Sequence, residues 1–345
     1  MKLALRRGVV IDAAEVPAGG EQRLVVEVEG RGEREAICDT GLFGPCQAGD
    51  EVIVNTQAGD LGLGSGGFDV VHVNLTRGLD GEGVAGAHVM KLNYTSLQHA
   101  VSPVEEIAPG AAGAGGPSAG GRPVAACLLH GQLAPLAWAF SQGAPEATLG
   151  LVQGAGGALP GNHSRTVTEL RRRGIIASFV TASPSFGGEL EAMTVAGALA
   201  YGFGALGWDA AVCAPGPGII GSGSPLGNGA IAAADSLNAA IGLGATAILA
   251  PRLSESDPRE RHRGVSHHTR TVAGLLLGPA TLAWPAGRDE EQLGDCRTES
   301  RPADIEGYRE AGLPTSTMGR SIEEDPAFFA GALAAGALLA EAATA

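Results

Sequence analysis

The stretch 252–270 holds five of the chain's 23 basic residues (Arg252, Arg259, Arg261, Arg263, Arg270) and three of its eight histidines (His262, His267, His268). In a chain of formal charge −14 this is a local inversion of sign. Guanidinium forks match the paired oxygens of a carboxylate or phosphate. Ser266 is placed to cap a helix that follows it, and the first amides and dipole of such a helix also favour an anion. We therefore expect Arg252, Arg259, Arg261, Arg263 and His262 to bind a small anionic substrate. The plainer reading is a solvated charged loop in which Asp257 and Glu260 pair locally with the arginines.

Histidine acid/base chemistry is the most economical enzymatic reading. His130, His267 and His268 fall on neighbouring predicted loops, and their ordinary pKa lies near neutrality. Glu189 is the candidate to orient one of them or to act as a base. A glycine-rich turn supplies Gly216, Gly218, Gly221, Ser222 and Gly223 as a candidate cradle of backbone amides for an anion. The same turn fits a dinucleotide fingerprint poorly. Pro217 stiffens it, and the next helix begins near Asn228 rather than at Gly221. His262, His267 and His268 with Asp257 and Glu260 carry metal-ligating atoms without an established ligand spacing, and HExxH is absent, so no metal is assigned. No GxSxG elbow surrounds Ser185, Ser222 or Ser224. The residues name no cofactor. Three functions stay open: an enzyme of small anionic substrates using histidines, a non-catalytic anion-binding or regulatory protein, and a metal-dependent hydrolase.

These residues need elements to bring them together. Apolar alternation at 3–11, 23–29, 51–55, 69–74 and 88–92, punctuated by Gly, Pro and Asp, predicts a small all-β barrel or sandwich over 1–101. The segment 102–122 is a Pro/Gly/Ala linker without periodicity. From 123 to 345 the rhythm changes. Apolar strands at 124–129, 148–152, 175–181, 210–214, 246–250 and 281–284 alternate with helices at 133–141, 164–173, 189–206, 228–241 and 267–277. Continuous apolar strands between helices predict an α/β domain with a parallel, doubly wound (Rossmann-like) sheet. Right-handed crossovers then put every strand-to-helix loop on one edge, where ligands bind. The segment 288–321 is read as irregular. An Ala-rich helix at 326–343 closes the chain, packing on its own domain or on a second copy in a homodimer.

Composition excludes several classes. The acidic balance offers no domain-scale basic face, so nucleic acid is not an expected partner. Five widely spaced cysteines without a CxxC pair argue against a disulfide framework or zinc ribbon and for buried thiols in a reducing cytoplasm. The start of the chain lacks an apolar signal core, and the apolar tracts 194–206 and 328–340 are short for a bilayer span, so no membrane is expected.

Five stretches carry a resemblance to a known family: HVMKLNYTSLQ (88–98), FGGELEA (186–192), GPGIIGSG (216–223), DPRERHRGVSHHT (257–269) and TMGR (317–320). With these the chain resembles, over nearly its whole length, a bacterial family known only as a domain of unknown function. The thirteen residues 257–269 are the most specific part. The resemblance implies one recurring architecture and carries no activity, cofactor or substrate.

Overall fold

The computed structural model describes residues 2–16, 20–63, 67–107 and 118–345, and divides the chain into two compact units, Met1–Ala87 and His88–Ala345. Residues 108–117, in the middle of the expected linker, lie outside the described residues.

The first unit is a closed five-stranded barrel. Its strands are β1 (Leu5–Ala13), β2 (Glu21–Val28), β3 (Gly32–Asp39), β4 (Glu51–Asn55) and β5 (Asp69–Asn74), in the order β1-β2-β3-β5-β4, with β1 closing on β4. Inward residues Val10, Leu24, Val26, Val28, Val52, Val54 and Val71 form its core. The alternation that predicted a barrel is the alternation that fills it. The strand β3, GEREAICD, escaped the sequence reading because its first half is charged and exposed.

The expected fifth strand, 88–92, belongs to the second unit instead. There β6 (Val89–Lys91) and β7 (His99–Val101) form a hairpin. Buried Lys91 fixes that hairpin, donating to the carbonyls of Thr181 and Ser185 and pairing with Glu191. Burial lowers the pKa of Lys91, and the Glu191 carboxylate opposes that shift.

The second unit is built on an eight-stranded parallel sheet. Its strands are β8 (Pro123–Ala126), β9 (Leu149–Gly154), β10 (Ser178–Ala182), β11 (Leu190–Ala192), β12 (Ala210–Pro215), β13 (Thr246–Leu249), β16 (Thr281–Pro285) and β17 (Arg297–Arg301), in the order β11-β10-β9-β12-β8-β13-β16-β17. Between β13 and β16 the short strands β14 (Leu253–Ser254) and β15 (Gly264–Val265) pair antiparallel. Beyond β17, β18 (Ser316–Thr317) and β19 (Arg320–Ser321) form a hairpin.

All six expected parallel strands are present, and two were missed. β17 reads RTESR and has no apolar signal. β11 lies in a stretch whose pattern predicts the start of a helix over 189–206. The helix begins only at Val195, where Thr194 caps it by accepting from the Gly197 amide.

Helices Val195–Gly204 and Ala232–Gly242 pack together on the sheet, as do Leu133–Gly143 and Pro326–Thr344. Close approach depends on small residues. A Cβ on Gly336 would stand 2.1 Å from the Leu136 carbonyl oxygen, and one on Gly150 would stand 2.0 Å from the Trp208 ring. The helix Pro326–Thr344, 19 residues, is long and apolar enough to cross a membrane by length and composition. Most of it is buried within the unit, against Leu133–Gly143, β8 and β16.

Topology locates a crevice. From β8 the chain departs toward β9, and from β13 it departs toward β16 on the other side. Adjacent strands whose connections diverge open a gap at their carboxyl ends, the usual ligand position in such sheets.

An arginine and histidine cluster at the carboxyl edge

The loops after β8 and β13 are tied together by a buried residue that sequence reading left unassigned. The Gln132 amide oxygen accepts from the backbone N–H groups of Leu128 and Leu129, and its nitrogen donates to the Pro251 carbonyl at 2.8 Å. The next residue is Arg252. Its backbone is held by the Thr269 hydroxyl at 2.9 Å and by the Ser266 amide at 3.0 Å. With the β14–β15 ladder, these bonds fold 252–270 into a closed loop whose last part enters the helix His267–Gly274. Ser266 caps that helix as expected, accepting from the His268 amide.

Buried Arg252 points its guanidinium between two partners. One nitrogen lies 3.1 Å from His268 Nδ1, and the other is 3.2 Å from Asp257 and 3.6 Å from the Met318 sulfur. Asp257 is wholly buried and also takes Arg259, bidentate at 2.9 Å, and Arg320 at 3.2 Å. Arg320 in turn pairs with buried Asp325, which accepts from the Ser254 hydroxyl. Three guanidiniums thus share two carboxylates. Burial alone would raise the pKa of Asp257, but the hydrogen bonds from Arg259 and the charge of Arg320 hold it well below the usual carboxylate range. Burial lowers Arg252 to about 10, with Arg259 and Arg320 adding to the shift, so it stays charged at neutral pH.

His262, His267 and His268 converge beside this network. Their ring centroids are 4.5 to 4.9 Å apart, and one ring nitrogen from each lies within 4.8 Å of the others. Burial lowers His262 and His268 to about 3, and the charges of Arg252 and Arg259 push the same way. His267 is lowered by burial and then by Arg261, Arg252 and Arg259. All three rings are neutral at pH 7. Because a guanidinium only donates, His268 Nδ1 accepts from Arg252 and its ring proton sits on Nε2. His262 Nδ1 is 2.8 Å from the Ser266 hydroxyl. Two buried atoms, Arg252 Nε and His267 Nε2, have no hydrogen-bond partner among the described residues. Arg259 and Arg261 reach solvent beside half-buried His267, which marks the cluster's open side.

The remaining expected residues are distributed otherwise. Arg263 donates to the Asp257 carbonyl from an exposed position. His130 has both ring nitrogens engaged, Nδ1 with the Pro215 carbonyl at 3.0 Å and Nε2 with the Ser164 hydroxyl at 2.8 Å. Burial lowers its pKa. It orients the loops after β8, β9 and β12. Glu189 pairs with Arg171 and accepts from the Phe179 amide, at the amino end of β10. Four strand steps separate β10 from β13, roughly 19 Å at the usual spacing. Glu189 therefore does not join the histidines.

Gly216 is packed against the backbone, where a Cβ would lie 2.1 Å from the Ala158 carbonyl oxygen. Gly218 turns at φ +67°, Gly221 bridges Asn228, and the Ser222 hydroxyl donates to the Gly227 carbonyl. Gly223 is exposed within the same loop. The described hydrogen bonds of this turn run to 156–158 and within 220–229, not to 252–270. A small cavity, with room for about one water and no histidine in its lining, is bordered by Cys127, Cys213, Pro215 and Ser236 among others. All five cysteines are buried free thiols, and burial raises Cys127 and Cys213, the latter to about 12.

Sequence reading missed Gln132 and Asp325 as parts of the site, and it treated Arg320 only as part of a resembling motif. Gln132 gave no signal, because its role needs two strands brought together. Arg320 stood in TMGR, fifty residues from the cluster it serves.

Fold and site together define a protein with a β-barrel unit and an α/β unit whose carboxyl edge holds a buried arginine ringed by neutral histidines. The chain belongs to the family described as "Protein of unknown function (DUF3866)", whose model matches residues 35–336. No curated protein and no solved structure matches it.

Proposed function

We propose that the second unit is an enzyme of small oxyanionic substrates, phosphate- or carboxylate-bearing, acting over Arg252 and the three histidines. The observation that carries this reading is the pair of partnerless buried nitrogens, Arg252 Nε and His267 Nε2, in one arginine-rich cluster. A buried donor left unmade costs about 1–3 kcal/mol, and an incoming oxygen would relieve it. In this mechanism Arg252 and the Nε2–H of His268 stabilise charge developing on a substrate oxygen. A neutral imidazole can act as such an electrophile by donating its N–H to the developing charge. His267, the least buried of the three residues and with Nε2 unpartnered, takes or gives the proton. Arg259 and Arg261 guide the anion from outside.

The convergence of three ring nitrogens also suits a divalent metal. Two features favour the anion. The arginines that depress the histidine pKa values set a positive potential that repels a cation. His268 also carries its proton on the nitrogen a metal would need. The test combines melting temperatures with inorganic phosphate, sulfate and acetate, a turnover panel of phosphate and carboxylate metabolites, and elemental analysis. The reading expects oxyanion stabilisation, turnover that falls at least tenfold in His267→Gln, and no stoichiometric metal. A ligand that stabilises without being consumed would leave a binding protein. A stoichiometric transition metal would move the assignment to a metal-dependent hydrolase.

A further inference from the structure

Met318 sits in a backbone conformation that its side chain disfavours. The β18–β19 hairpin turns through Met318 at φ +51° and Gly319 at φ +74°. A two-residue turn with both φ values positive is the natural place for Asn or Gly, and Met is strained there. What the strained turn achieves is a fixed position for the sulfur, 3.6 Å from an Arg252 terminal nitrogen. The hairpin is clamped on both sides. Arg320 on β19 binds Asp257 and Asp325, and Thr317 on β18 abuts the His130–Gly131 turn, where a Cβ on Gly131 would stand 2.4 Å from the Thr317 hydroxyl oxygen. Yet Met318 is 39% exposed, whereas Met90 and Met193 are half-buried with less surface. The thioether of a partly exposed residue is thus held against the buried cation of the site.

We infer that Met318 is an oxidation-sensitive modification site whose sulfoxide occupies Arg252 and shuts the anion site, an inference that rests on the anion reading above. A peroxide supplies the oxidant. The thioether sulfur attacks one peroxide oxygen, the O–O bond breaks, sulfur gives up two electrons and gains that oxygen, and the other oxygen leaves as water. The thioether is a weak acceptor, and the sulfoxide oxygen is a strong one. Placed beside Arg252 Nη2, it engages the same guanidinium whose unpartnered Nε–H a substrate oxygen would otherwise take, and stands in that oxygen's way. Methionine sulfoxide reductase reverses the change.

The test treats the whole protein with dilute hydrogen peroxide. Oxygen uptake at Met90, Met193 and Met318 is followed by peptide mass, and inorganic phosphate binding by calorimetry. Met318 should oxidise first, and phosphate should then bind about tenfold more weakly, a loss of roughly 1.4 kcal/mol. Sulfoxide reductase should restore binding. Met318→Leu, compared with its own untreated sample, should not respond to peroxide. Oxidation of Met318 no faster than the other two, full oxidation with unchanged affinity, or an equal loss in Met318→Leu each overturns the inference. Failure of the untreated protein to bind phosphate overturns the anion reading alone. In that case the imidazole NMR signal of His268 reads Arg252 directly: a shift on Met318 oxidation upholds the contact, and no shift overturns it.

Discussion

Asp257 pairs with Arg252, Arg259 and Arg320 at once, so its charge matters more than its volume. Asp257→Asn leaves a buried guanidinium without its counter-ion and is expected to cost about 3–5 kcal/mol of stability by urea denaturation. Arg259→Gln removes a partner that is nearly half exposed, and should cost under about 1 kcal/mol in the same measurement. The histidines make a second prediction. His262 and His268 are near 3 when folded and near 6.5 when unfolded. Above about pH 6.5 both states are neutral and the rings impose no pH dependence. As the pH falls from 6.5 toward 3, the unfolded chain binds protons that the folded chain refuses, and stability drops by up to about 1.4 kcal/mol per pH unit for each ring. Urea titrations at successive pH values read this slope, and His262→Gln should flatten it. An unchanged slope in that variant would mean the ring is not held neutral by its surroundings.

The elements that carry these residues were legible to different degrees. Apolar strands announced themselves because both faces of the sheet are covered, so β8, β9, β10, β12, β13 and β16 needed no alternation to be read. β17 and β3 were silent because a polar strand has no hydrophobic signal. The 252–270 cluster could be read as basic and histidine-rich. It could not be read as neutral histidines, since that state depends first on burial, which the segment gains only by folding against Gln132, Arg320 and Asp325 from elsewhere in the chain. Glu189 was misassigned because strand order, not chain order, decides which loops meet. Glycine had a readable role only where an element passes close by. Gly336 lets Pro326–Thr344 lie on Leu133–Gly143, since a Cβ there would stand only 2.1 Å from the Leu136 oxygen. Gly336→Val is therefore expected to destabilise by about 3 kcal/mol through overpacking, read as a lowered melting temperature. A neutral result would mean the two helices separate at little cost.

At the scale of the molecule, each unit closes a hydrophobic core of its own. The barrel core comprises residues between Val10 and Val71, and the α/β core runs from Val104 to Ala340. Every contact assigned to the site, from Gln132 to Asp325, lies within His88–Ala345. The hairpin β6–β7 is part of that unit through Lys91, so a fragment cut at 101 would leave Glu191 and the Thr181 and Ser185 carbonyls without their cation. Two fragments make the comparison. Residues 88–345 should melt cooperatively and keep the phosphate response of the whole chain, with about 2.7 kcal/mol of added stability at a hundredfold excess over the dissociation constant. Residues 102–345 should melt lower, because half-buried Glu191 and the two carbonyls lose the buried ammonium they face. If both fragments melt alike, the Lys91 ion pair contributes nothing. If 88–345 folds but has lost the phosphate response of the whole chain, the arginine and histidine cluster is not sufficient for the binding assigned to it.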